Sequence, residues 1–74
     1  MTKKFIIKKN NLNGEEELAE ESRVFEYAGS IVEENMNNIN FPHTLIENYS
    51  VKRFSVKDAF RAIFWLGDSI QIAP

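Results

Sequence analysis

Residues 3–37 read KKFIIKKNNLNGEEELAEESRVFEYAGSIVEENMN, and the architecture turns on where this segment changes its hydrophobic period. Lys3 to Lys9 has the character of a strand: β-favouring Phe5, Ile6 and Ile7 stand between lysines that would blunt an exposed edge. Asn10 to Gly14 is a turn cluster, punctuated by Asn13-Gly14. From Glu15 the spacing becomes helical. At about 100° per residue, Leu18, Phe25, Ala28, Gly29, Val32 and Met36 share one side of a helix. Glu15, Glu16, Glu26, Glu33 and Glu34 share the other, and the glutamates of the first turn suit the positive end of the helix dipole. Asn37, Asn38, Asn40 and Pro42 stop the pattern. The expectation is a long amphipathic helix over 15–37.

Residues 43–54 read two ways. His43 to Ser50 fits a short helix after Pro42, which suits a first turn. Tyr49, Val51 and Arg53 alternate with polar neighbours as in a strand ending at Phe54. The strand is preferred, because a lone N-terminal strand needs a pairing partner. Strand, long helix and strand would then make one crossover unit.

Ser55-Val56-Lys57-Asp58 has the form of a capping box with Asp in the place usual for Glu or Gln. It opens a helix over about 56–66 that Gly67 closes. Only Lys57, Asp58 and Arg61 are polar on this helix, and Phe64 and Trp65 flank their strip. Ile70 to Ala73 alternates and is expected to add a short edge strand, in preference to a hairpin with 62–66. The fold class is therefore α+β, a small two- or three-stranded sheet with one long amphipathic helix and a second, apolar helix.

The 74 residues leave room for one small domain spanning 1–74. Apolar residues make up 43% of the chain, too many for a disordered one. No run approaches the length of a membrane span, and the apolar part of the N-terminus is too short for a secretory signal. The expected location is the cytoplasm, with no membrane partner. The net charge of −2 is segregated: residues 1–14 carry +4, residues 15–34 carry −7, and residues 51–74 carry +2. Such blocks either pair with each other or present an acidic face to a basic partner. The acidic balance makes a nucleic-acid partner unexpected.

Little in the chain points to catalysis or cofactors. There is no cysteine, hence no disulfide, thiolate nucleophile or cysteine-built metal site. His43 is the single histidine, and with Glu47 it makes two potential ligands where zinc needs three or four. Gly14, Gly29 and Gly67 are scattered, so no phosphate-cradling loop exists. No serine sits in a nucleophile elbow. Asn48-Tyr49-Ser50 matches a glycosylation triplet that has no secretory context. The expectation is a protein that is not an enzyme and binds no cofactor or metal.

Two surfaces stand out instead. Glu26, Glu33 and Glu34 lie on the acidic face of the first helix, which either docks on a basic groove or is simply a solvated face. The lysines around Phe5 to Ile7 could track a nucleic-acid backbone or solvate an edge strand. The second helix is apolar around most of its circumference, and a two-layer domain buries only one side of it. Some of Phe60, Phe64, Trp65 and Leu66 should stay exposed or lie under the C-terminal tail. Large aromatic patches mark interaction sites, and self-association would be a second use for the same surface.

The leading expectation is a small acidic protein-binding module that occludes a larger protein, of the size and charge of inhibitors encoded by phages and mobile elements. Its expected partner-binding residues are Glu26, Glu33, Glu34, Phe64 and Trp65, the partner having a basic surface. The alternative is a dimeric nucleic-acid-binding regulator. One basic strand before two helices resembles the ribbon-helix-helix family, whose paired strands enter the major groove. The acidic first helix and the long gap between the two helices depart from that pattern.

Overall fold

A computed structural model describes residues 3–74. Among them the chain forms β1 (Lys4–Lys8), β2 (Glu16–Glu20), α1 (Glu21–Glu34), α2 (His43–Ser50), α3 (Val56–Leu66) and β3 (Ser69–Ile72). The sheet is antiparallel with strand order β2-β1-β3. This is the small α+β fold expected, with the strands and the first helix distributed differently.

The first correction concerns residues 15–37. Helical spacing starts at Glu21, and Glu16–Glu20 is the second arm of a hairpin. Register explains the preference. Lys4 stands opposite Glu20, Ile6 opposite Leu18 and Lys8 opposite Glu16. Opposite charges facing across an antiparallel pair stabilise it, and β1 gains the partner that a lone strand lacks. The ammonium of Lys4 lies 3.1 Å from the Glu20 carboxylate. Helix propensity of Glu, Leu and Ala is overridden by this tertiary pairing. The turn is locked by Asn11, whose Oδ1 accepts from the amides of Asn13 and Glu15 at 3.1 and 3.3 Å. Gly14 takes φ of +58°, where a side chain would be strained. Leu18 therefore does not join the helical stripe but projects from the outer sheet face, 65% exposed.

The second correction concerns residues 43–54. His43–Ser50 is a helix, and Val51 to Arg53 is an exposed turn in which Lys52 takes φ of +60°. Leu45 is wholly buried, with Ile46 and Tyr49 half-buried beside the core, a helical spacing the alternation of 49, 51 and 53 concealed. No crossover unit forms: both neighbours of β1 are antiparallel. β3 fills the other side of β1 as the expected edge strand.

One face of the sheet carries Phe5, Ile7, Ala19 and Ile70 into the core. α1 and α3 pack on it and on each other, contributing Val24, Ala28, Ile31, Val32, Ala59, Ala62 and Ile63. Phe41, from the α1–α2 connection, and Leu45 of α2 complete the buried cluster.

α3 begins and ends as its sequence indicates. Ser55 Oγ accepts from the Asp58 amide at 3.3 Å, and the Ser55 amide donates to Asp58 Oδ2 at 3.1 Å. Asn48 of α2 donates to the same oxygen at 3.2 Å. Asp58 is consequently buried at 7% exposure and is not part of a solvated polar strip. Gly67 ends the helix at φ +100°.

Candidate functional site

α3 turns Ala59, Ala62 and Ile63 inward, so the last turn of the helix points three consecutive large apolar residues outward. Phe64 is 59%, Trp65 37% and Leu66 43% exposed. Phe64 continues the flank of Phe60, whose ring meets Phe5 edge-on at 5.8 Å. Trp65 lies on the opposite flank and rests edge-on against Phe41 at 4.8 Å. The two expected contact residues are thus neighbours in sequence that look to different sides of one helix.

On the Trp65 side, the connection from α1 to α2 forms an open groove of about 250 Å³. Met36, Ile39, Phe41, His43 and Ile46 line it together with Asn37 and Asn38. Met36 is 40% and Ile39 96% exposed. These residues were not among the expected contacts. Their signal is visible in Met36-Asn37-Asn38-Ile39-Asn40, where apolar side chains alternate with turn-forming asparagines and cannot all reach a core. Met36, which the helical spacing sets on the apolar side of the first helix, lies past the helix end, whose cap is Asn35.

The acidic residues are held on the side of α1 away from Val24, Ala28 and Ile31. Glu26 is exposed and 3.5 Å from Arg23. Arg23 also meets Glu17 at 3.0 Å, so part of the acidic block is answered within the chain. Glu33 neighbours Tyr49, whose hydroxyl proton is held more tightly than usual, first by burial and then by the nearby Glu33 carboxylate. Tyr49 reaches α1 because Gly29 has no side chain: a Cβ there would sit 3.2 Å from the tyrosine ring and hydroxyl. Glu34 is exposed at the end of α1. The structure does not gather Glu26, Glu33, Glu34, Phe64 and Trp65 into one cluster. They occupy two helices of one layer, with the carboxylates on α1 and the aromatics at the end of α3.

A second polar centre lies at the start of β3. The Tyr27 hydroxyl donates to Asp68, which also accepts from the Asn10 amide at 2.9 Å. Lys9 stands 4.4 Å over the Tyr27 ring, a cation–π geometry. The Tyr27 proton is retained well above the ordinary range, through burial and then the Asp68 carboxylate. Both Asp68 oxygens have donors, so this centre fastens α1 and β1 to the α3–β3 turn and offers no free nucleophile. An adjoining groove of about 310 Å³ is lined by Lys8, Lys9, Asn10, Asn11, Gly14, Gly67 and Ser69. Among the described residues, no three His, Cys, Asp or Glu side chains come together as a metal-ligand group. No described helix is long and apolar enough to cross a membrane.

The ribbon-helix-helix arrangement is not the one formed. Its basic strand must be free to pair with a second copy, whereas β1 is the central strand and is hydrogen-bonded on both sides. Compared with known family models, curated proteins and solved structures, the chain matches none.

Proposed function

We propose that this protein is a non-enzymatic binding module that docks on a larger protein through the end of α3 and the adjoining groove. The observation that carries the reading is the exposed run Phe64, Trp65 and Leu66. A helix that buries alanines and an isoleucine while showing three large apolar side chains to solvent gives up hydrophobic stabilisation its own fold could have used. Aromatic side chains of this kind anchor protein interfaces, with neighbouring polar groups forming the rim. Glu26, Glu33 and Glu34 on α1 favour a partner with a basic surface, acting mainly on the rate and orientation of encounter. Occlusion of the partner's working surface is the proposed mode of action, which requires no chemistry from the module itself.

The test uses immobilised protein and its captured partner. Phe64→Ser and Trp65→Ala are expected to abolish capture, and Glu26→Lys to slow association with a weaker dependence on salt. Circular dichroism should stay that of the parent. Unchanged capture by the folded Phe64→Ser and Trp65→Ala variants would show that the end of α3 is not the docking surface.

A further inference from the structure

We infer that β3 is the dimer edge of this protein, pairing antiparallel with β3 of a second copy about a two-fold axis at Gln71. The sheet has two outer edges of opposite character. β2 exposes Glu16, Glu20 and, half-buried, Glu17; a copy brought against it would set carboxylates against carboxylates. β3 reads Ser69-Ile70-Gln71-Ile72 and carries no charge. Natural sheets discourage edge pairing with lysine, internal proline or inward charges, and β3 has none of these within its length.

Hydrogen-bond phase makes this edge self-complementary. The Ala73 amide donates to the Lys4 carbonyl at 2.9 Å, and Gln71 is registered on Ile6. Alternation then turns the amides and carbonyls of Ser69, Gln71 and Ala73 toward β1, and those of Ile70 and Ile72 toward the free edge. With the axis at Gln71, Ile70 faces Ile72 of the second copy, and each such pair exchanges both backbone bonds. Side chains agree with this register. Ile72 lies on the core face opposite Phe5 yet remains 57% exposed. In the pair it packs on Ile70 of the copy, extending the core across the axis. The Gln71 side chains meet on the outer face, where each amide can serve the other as donor and acceptor. The second copy is favoured over another strand because a neutral edge of this phase meets in itself a neutral edge of matching phase.

The edge is short, so the dimer is expected to be weak, with Kd on the order of 10 to 100 µM. The experiment is sedimentation velocity over a concentration series, with amide NMR spectra of the same samples. The parent should shift from monomer to dimer, and the Ile70 and Ile72 amides should move with concentration. Gln71→Lys sets like charges face to face on an exposed position and should weaken the dimer roughly fivefold. Ile72→Pro removes a donor that β1 does not use and should weaken it about tenfold or more. A parent that stays monomeric throughout overturns the inference, as does a dimer indifferent to Gln71→Lys. Loss of dimer with unchanged partner capture by Gln71→Lys would separate this edge from the docking surface at Phe64 and Trp65.

Discussion

The Tyr27 hydroxyl donates to the Asp68 carboxylate across 41 residues of sequence, tying the middle of α1 to the turn that starts β3. Asp68 is 7% exposed and also holds the Asn10 amide, so the three segments that meet at this end of the sheet share one carboxylate. A carboxyl group so buried is tolerated because each of its oxygens accepts a hydrogen bond.

Tyr27→Phe removes one donor and leaves that carboxylate short of a partner. The expected loss is about 2 kcal/mol, read from the urea midpoint with an unchanged m-value. A loss below about 0.5 kcal/mol would mean that Asp68 is satisfied by solvent.

Stability should fall at alkaline pH. The Tyr27 and Tyr49 hydroxyls are both held above their ordinary value of 10.0, each first by burial and then by a neighbouring carboxylate, Asp68 and Glu33 respectively. The folded state keeps these protons where the unfolded chain loses them. Their contribution is therefore complete below pH 10 and declines above it, by no more than about 1.4 kcal/mol per pH unit for each tyrosine. Urea midpoints between pH 8 and pH 11 would display the decline, and Tyr27→Phe should make it shallower. A flat profile to pH 11 contradicts the coupling.

The start of α3 is expected to depend on Asp58 more than on Ser55. Ser55→Ala deletes the bond that the Ser55 hydroxyl accepts from the Asp58 amide and the one it donates to Asp58 Oδ2, and should cost about 1 kcal/mol. Asp58→Ala strips the acceptor from the Ser55 amide and from Asn48 of α2, and should cost about 2 kcal/mol or more. The double variant should cost less than the two losses combined, since both act on one network. Strict additivity in thermal melts would show the network to be two independent bonds.

Gly29→Ala sets two effects against each other. Alanine gains up to about 1 kcal/mol over glycine inside a helix. Its Cβ would stand 3.2 Å from Tyr49, whose ring meets Phe54 edge-on at 5.4 Å and so cannot yield freely. A net loss of stability is expected in the parent. In a Tyr49→Ala background the same change should stabilise, and failure to change sign would mean that the contact does not restrain the ring.

Much of the C-terminal part of the chain is legible in the sequence. Ser55, Asp58 and Gly67 mark both ends of α3 because caps are local, made by residues three positions apart or by a single backbone conformation. That some of Phe60, Phe64, Trp65 and Leu66 must stay exposed or be covered by the tail also follows locally, since a helix apolar on nearly every side cannot bury all of it in two layers; which of them is exposed does not. Glu15 to Glu20 is less legible, because good helix formers of suitable spacing continue without a break into α1. Its strand is fixed by the register of Lys4 with Glu20 and Lys8 with Glu16, a non-local pairing that composition alone does not display.

The same limit applies to residues 43–54, where the need of β1 for a partner favours a strand and the partners that β1 takes are β2 and β3. The groove of Met36, Ile39, Phe41, His43 and Ile46 is joined to the end of α3 through Phe41, whose ring meets Trp65 edge-on, a contact between residues far apart in sequence. The sequence by itself determined the α+β class, the turn at Gly14, the third helix with both its ends, and a surplus of apolar surface near the C-terminus, all set by local conformational preference and periodicity. The tertiary structure alone decided which segment pairs with β1, which carboxylates are buried and which way each aromatic faces. Those outcomes depend on contacts between residues distant in sequence, where burial and pairing outweigh propensities worth only tenths of a kcal/mol per residue, on the order of 0 to 0.7.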